Sequence, residues 1–412
     1  MRLSTKQIDF FLMGLFIFCL PFMFHLNLII QLNASYSDIL LIIILYWFIA
    51  KKENKETLSI VLKKYQLIIL YFLLLIYFCI VSMANYVTNI SIDFPYGVSA
   101  IIKLTINFLY VMVMLIFLEK YREELILFLL RWWKRAAVVI AILCIASVIF
   151  YQLGMDSGLT LGGRAQATLN DPNLAALYLI VSLSVIALAS IYMRKAITIN
   201  LSMVAVLIAL FLTASRGGIL SVAISVCVVL LLSFLSGRIK ELIIFLSVVI
   251  FFFLIILWIN HVSDAFLFAM ERVGGVGTEG DGTSYRIFLW KSAFEMWVHN
   301  PFIGVGIGQF IAYSPEMFGF TFSNIPHNTY LSFLAETGIL GFISFIWLPI
   351  YLVTKLVVGI GSSGEKKHFY LLIGILAVAI QALSINIENI RFVWVFLSLA
   401  YVIIEHKLEE QQ

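Results

Sequence analysis

Charge is what this sequence has least of. Asp, Glu, Lys and Arg make up 12% of its residues, against 62% hydrophobic and 15% aromatic. A soluble globular domain carries about a quarter charged residues. Polar surface this sparse could not cover a core in water. The scarcity excludes a cytosolic enzyme, a disordered chain and a nucleic-acid binder, and a mean hydropathy of +1.05 makes lipid the solvent. Cysteine is also rare. The four present (Cys19, Cys79, Cys144, Cys227) all sit inside apolar runs, as small packing residues do, and suggest neither a disulfide framework nor a metal set.

What the sequence has instead is long apolar runs, most of them of about 18 residues or more, and so candidate spanning helices. They fall near 8–31, 36–50, 65–86, 97–118, 136–154, 174–193, 198–215, 217–236, 241–259, 329–354, 369–386 and 390–405. The expectation is an all-α membrane protein with about twelve transmembrane helices. The first run is too long for a cleaved signal peptide, lacks a small-residue cleavage site and contains Pro21 and His25. With Arg2 and Lys6 placed in the cytoplasm, 20 of the 27 Lys and Arg residues share that side, which predicts both termini cytoplasmic. The outward minority is Lys103, Arg164, Arg216, Arg272, Arg286, Lys291 and Arg391. Positive charge resists that side, so each of these needs a pairing partner or an anionic ligand.

Three regions follow: transmembrane helices one to nine over 1–259, a long outward loop over 260–328, and helices ten to twelve with a short cytoplasmic tail over 329–412. A structured loop of about seventy residues is costly to keep without a use. An amphipathic piece is expected over 261–273, then a glycine-rich stretch over 274–282, then a second amphipathic helix from Thr283 to His299, ended by Asn300-Pro301. The glycine stretch lacks the Lys-Ser/Thr of a phosphate cradle and reads as a hinge or lid. Gly304, Gly306 and Gly308 are no dinucleotide fingerprint, because no βαβ unit surrounds them. No inverted repeat of broken helices suggests a secondary transporter. Leu125 to Arg135, with Trp132 and Trp133, reads as a helix on the inner membrane surface.

Arg216 lies in Leu212-Thr213-Ala214-Ser215-Arg216-Gly217-Gly218, a tight turn between two apolar helices. There an arginine is either a paired structural residue or an anion site, with Gly217 and Gly218 leaving room for close approach of a ligand. Arg286 opens the second amphipathic helix and fits a phosphate clamp at a helix terminus or a solvated surface position equally well. Arg164, ahead of Asn170-Asp171-Pro172-Asn173, is a weaker candidate of the same kind. His327, in Pro326-His327-Asn328-Thr329-Tyr330, can move a proton near neutral pH or serve as a polar contact at a helix start. Glu336 falls inside the next span, where a carboxylate needs a partner. No metal site emerges, so a metal-independent mechanism without a cofactor is the expectation.

Ser215-Arg216-Gly217-Gly218, the run from Tyr285 to Ala293, Asn300-Pro301-Phe302-Ile303-Gly304-Val305-Gly306 and the run from Pro326 to Gly338 together resemble the O-antigen ligase and O-antigen polymerase family. Asn170-Asp171-Pro172-Asn173 fits as well. The resemblance implies a glycosyltransferase of the bacterial inner membrane with its active site on the periplasmic side. Its donor would be a glycan on undecaprenyl diphosphate. Arg216 and Arg286 would hold the diphosphate, His327 would activate the acceptor hydroxyl, and Arg164, Asn328 and Glu336 would support them. The acceptor would be another lipid-linked glycan in a polymerase, the preferred reading, or lipid A–core in a ligase. A protein acceptor is a third variant. Membrane lipid and a chain-length regulator are the remaining partners expected. From a different class, a flippase for lipid-linked sugar would need polar residues spread along several spans, whereas here they crowd the outer end.

Overall fold

A computed structural model describes residues 4–27, 31–51, 54–84, 94–193, 196–237, 283–318 and 325–405. In chain order they form α1 (Thr5–Cys19), β1 (Met23–Asn27), β2 (Gln31–Ser35), α2 (Tyr36–Ile49), α3 (Asn54–Lys64), α4 (Gln66–Ser82) and α5 (Phe94–Gln152). A short pair, β3 (Thr160–Leu161) and β4 (Arg164–Ala165), leads to α6 (Pro172–Tyr192), α7 (Ala196–Leu212) and α8 (Arg216–Leu235). After them come α9 (Thr283–His299), α10 (Phe310–Phe318), α11 (Thr329–Ser362), α12 (Lys366–Gln381) and α13 (Arg391–Glu405). Helix dominates, and the chain is a membrane protein. Among the described helices α5, α6, α8 and α11 are long and apolar enough to cross a bilayer, and α3 with α4, bent by 80°, adds a fifth span if the pair is one.

α6 is the centre of the bundle. Being apolar on every face, it has to be covered all round, and 17 of its 21 residues are buried beneath α5, α7 and α12. α8 packs on α12 and leaves Ile224, Leu231 and Leu235 exposed, a contiguous apolar face of the kind that meets lipid.

Two parts of the chain depart from what the sequence predicts. The run 8–31 is not one span. α1 stops at Cys19, two residues before Pro21, which has no N–H to continue a helix. The chain then turns back as an antiparallel hairpin with Met23 opposite Ser35, and the Ser35 hydroxyl donates to the Cys19 carbonyl at 2.9 Å. The runs 97–118 and 136–154 lie in two helices on either side of a kink at Arg122 (φ 46°, ψ −128°), which together make up α5, and the departure is in what lies between the runs. Leu125–Arg135 is therefore the beginning of the second half of α5 and not a separate surface helix. Its Trp133 is buried, stacks on Tyr178 and donates to Ser182 Oγ at 3.1 Å. The expected span 241–259, the piece 261–273 and the glycine stretch 274–282 lie outside the described residues.

α9 has the bounds that the sequence predicts for the second amphipathic helix. Its Leu289, Ala293 and Met296 pack with Val305, Phe310 and Ala335 in a small core of their own. The loop after it is tied into a break in α11 at Gly338 (φ 63°, ψ −167°). Val305 and Gly306 donate to the carbonyls of Ala335 and Glu336, both at 2.9 Å, and Ile339 donates to the Pro301 carbonyl at 2.8 Å. A Cβ on Gly304 would overlap the Glu336 carbonyl carbon, and one on Gly338 would overlap the Phe302 backbone. The two motifs are halves of one backbone lock.

Candidate functional site

The site is built from two turns. The first begins at Asn170, whose φ of 62° is tolerated by asparagine better than by most residues. Asp171 then caps α6, its Oδ1 accepting from the N–H groups of Asn173 (2.7 Å) and Leu174 (2.9 Å), with Pro172 preorganised in the first helical turn. Asn173 is the hub. Its Oδ1 accepts from Arg164 Nη2 at 3.1 Å and from Ser215 Oγ at 3.0 Å, and its carbonyl accepts from Gln381 Nε2 at 3.1 Å. Arg164 Nε donates to the Thr213 carbonyl at 2.9 Å. These bonds fasten the Thr213–Arg216 turn to the head of α6 and the end of α12.

Ser215 caps α8, accepting from the Gly218 N–H at 3.3 Å, so that Arg216 is the first residue of the helix and half-buried. A guanidinium beside the positive end of a helix dipole is unfavourable for both, and the pair together favours an anion. Gly217 and Gly218 serve packing. A Cβ on Gly218 would stand 2.9 Å from that of Ala176 on α6, and one on Gly217 would overlap Ser384 Oγ. The room that the sequence assigns to a ligand there is filled by protein.

The second turn holds His327, half-buried with a left-handed φ of 50°. Such a conformation costs of order 1–3 kcal/mol in a non-glycine residue and persists only where neighbours enforce it. Trp290 Nε1 on α9 donates to the Pro326 carbonyl at 3.0 Å. On the other side Asn328 caps α11 through the N–H groups of Tyr330 (3.1 Å) and Leu331 (3.2 Å), and Thr329 N–H donates to the Ala382 carbonyl at 2.8 Å. Burial holds the His327 imidazole below its usual pKa, the Arg286 guanidinium pushes the same way, and the Asp171 carboxylate opposes them. A neutral imidazole at neutral pH can accept a proton.

Arg286 and Asp171 thus both act on the charge of His327, and the Asn173 hub beside Asp171 holds Arg164 and, through Ser215, the turn that carries Arg216. Asn328 sits beside His327 as a helix cap. Glu336 stands apart: its Oε1 accepts from the Phe310 N–H at 3.1 Å and it faces a cavity. Among the described residues no three of His, Cys, Asp and Glu gather as a possible metal site. Asp171, Asn173 and Gln381 are members that the sequence reading leaves out as site residues. Asn170-Asp171-Pro172-Asn173 signalled the first two, and nothing local signalled Gln381.

Residues 201–346 match the family model described as O-antigen ligase. The matched stretch takes in Arg216, Arg286, His327, Asn328 and Glu336, while Arg164, Asp171 and Asn173 precede it. No curated protein matches the chain.

Proposed function

Because this chain carries an O-antigen ligase family domain, we propose that it is an inverting, metal-independent membrane glycosyltransferase of surface polysaccharide assembly. The donor is a glycan on undecaprenyl diphosphate and the acceptor a sugar hydroxyl, both met at the periplasmic face. The observation that carries this reading is His327, held in a strained turn within the fields of Arg286 and Asp171.

The chemistry follows from that neighbourhood. The acceptor oxygen attacks the anomeric carbon from the side opposite the diphosphate and a new C–O bond forms. The bond from carbon to the phosphate oxygen breaks, and its electron pair leaves with undecaprenyl diphosphate. The acceptor proton passes to the neutral imidazole of His327. Charge grows on the departing diphosphate, where Arg216, Arg286 and the amino end of α8 stabilise it without reorganising. Arg286 couples the two halves of the reaction. Once the diphosphate offsets its charge, the imidazole beside it becomes a stronger base.

The test is transfer by purified protein supplied with lipid-diphosphate-linked glycan. Arg216→Ala, Arg286→Ala and His327→Ala are each expected to abolish transfer while the protein still inserts. Full activity of His327→Ala would remove the base assignment. Polymerase is preferred here, with ligase the alternative that the matched family description favours. Deleting the protein and resolving the surface glycan on a gel separates them: a single repeat left on core indicates a polymerase, and bare core with accumulated lipid-linked polymer indicates a ligase.

A further inference from the structure

α9 has two apolar faces, and the described residues cover only one of them. Leu289, Ala293 and Met296 close the small core that α9 shares with α11. On the opposite side Ile287, Phe294 and Val298 follow one line along the helix, and they are 48%, 51% and 56% exposed. Phe302, just past the helix end, is 69% exposed. Apolar surface gathered in this way marks a face that meets a partner or a membrane.

Depth in the bilayer decides between the two. The part of α11 after its break, residues 339–362, rises about 36 Å at about 1.5 Å per residue. That is just over the hydrocarbon thickness of about 30 Å, so Gly338 stands at one surface of the bilayer. The end of α9 is fastened at that level: Ile339 N–H donates to the Pro301 carbonyl at 2.8 Å, and Leu340 N–H to the Phe302 carbonyl at 3.3 Å. Leu340 and Ile343 are exposed and carry the apolar surface from Phe302 onto the spanning helix. The uncovered face of α9 therefore continues the lipid-facing flank of α11 at headgroup level.

The other residues of this face suit that place. Lys291 lies on the same line as Ile287 and Phe294, exposed and with no ion-pair partner among the described residues. It is one of the outward cations that call for an anion. Trp297 packs edge-on against Phe294 with ring centroids 5.4 Å apart, and its Nε1 already donates to the Pro301 carbonyl at 3.2 Å. A tryptophan at the edge of an apolar face, with a lysine in reach of phosphate, belongs to helices that lie in the membrane interface. Glu295 and His299, both exposed, border the stripe on its other side.

We propose that α9 lies on the bilayer at this end of the bundle. Ile287, Phe294, Val298 and Phe302 enter the boundary between headgroups and acyl chains, and Lys291 meets the phosphate of an anionic phospholipid. Arg286 is in the first turns of α9, and Trp290 holds the Pro326 carbonyl at 3.0 Å. The lipid contact thus sets the height of the His327 turn above the bilayer, whatever reaction the site performs.

Photo-crosslinking identifies what covers the face. The full chain carrying p-benzoylphenylalanine in place of Phe294 is reconstituted into vesicles of phosphatidylethanolamine and phosphatidylglycerol, irradiated and read by mass spectrometry. The same label in place of His299, about 140° round the helix, is the reference. Both positions and Lys291 are exposed, so the fold tolerates the changes. Phospholipid adducts are expected at Phe294 severalfold more often than at His299, with phosphatidylglycerol enriched about twofold or more over its share of the vesicle. Lys291→Glu should remove that enrichment. No lipid adduct at Phe294, or equal lipid labelling at the two positions, overturns the docking, and an adduct to the chain itself or to a second copy then names the true occupant. No enrichment, or enrichment that survives Lys291→Glu, overturns the headgroup contact.

Discussion

Arg164 donates from Nη2 to Asn173 Oδ1 at 3.1 Å while its Nε holds the Thr213 carbonyl at 2.9 Å. One guanidinium thus joins the head of α6 to Thr213 in the turn that begins α8, three residues ahead of Arg216. Arg164 is a positioning residue, and its planar fork cannot be copied by an ammonium.

Arg164→Lys should therefore keep the charge and lose the geometry. A hydrogen bond to a charged group contributes about 1.5–3 kcal/mol, so disturbing one of the two predicts about a tenfold or larger fall in transfer. A rise in donor KM, at an unchanged level of membrane-inserted protein, is the signature of a displaced Arg216 turn. Wild-type kinetics in Arg164→Lys would show that the turn holds itself.

The depressed pKa of His327 has a defined sign. An imidazole whose pKa lies below the ordinary value of about 6.5 is already neutral at pH 7, so a base role predicts a rate that is flat above neutrality. It falls only in the acid range, as the ring takes up its proton. Burial and Arg286 set that position. Bound diphosphate offsets Arg286, so the acid limb of kcat, which reports the occupied enzyme, should lie at higher pH than that of kcat/KM. Coincident limbs would uncouple Arg286 from the base. In Arg286→Gln the limb of residual kcat/KM should move toward higher pH.

The backbone lock predicts a different kind of loss. Gly304 and Gly338 have φ of 70° and 63° and face opposing backbone where a Cβ would overlap it. Alanine at either position adds strain in the left-handed region to a clash that no side chain can relieve, a destabilisation on the order of 3 kcal/mol or more. Both variants should melt earlier in detergent or fail to accumulate, whereas His327→Ala should melt close to wild type. Normal melting of Gly304→Ala would mean that the loop is not locked into α11.

How far the sequence discloses these features depends on how local their causes are. α9 runs from Thr283 to His299 as its pattern and the following Asn300-Pro301 predict, because helix periodicity and its stop signal lie within a few residues. Asn328 and Asp171 precede their helices as caps for the same reason. The hairpin at 23–35 is hidden because hydropathy averaged over a long window passes over its polar residues: His25, Asn27, Gln31 and Asn33 alternate with apolar neighbours at the strand period, next to a strongly apolar helix. Gly304 and Gly338 owe their identity to each other's segment across the fold, and neither segment alone reveals it. Lys103 and Glu388 stand 285 positions apart, and only the packing of α5 near the α12–α13 connection gives them a common cavity. Gln381 looks like any polar residue at a helix end until its amide is seen on the Asn173 carbonyl.

Asp171 has two roles that substitution can separate. Its Oδ1 caps α6, and its negative charge raises the proton affinity of His327 against burial and Arg286. Asparagine caps a helix about as well as aspartate, so Asp171→Asn should retain the melting temperature while the acid limb of the transfer rate moves toward lower pH. Asp171→Ala loses both roles, and should show the same displacement of the limb together with a loss of about 1 kcal/mol in stability. A melting temperature unchanged in Asn and lowered in Ala, with a common pH profile, establishes the charge as the element that acts on the histidine. An acid limb identical to wild type in both variants would confine Asp171 to the cap and leave burial and Arg286 as the groups that set the base.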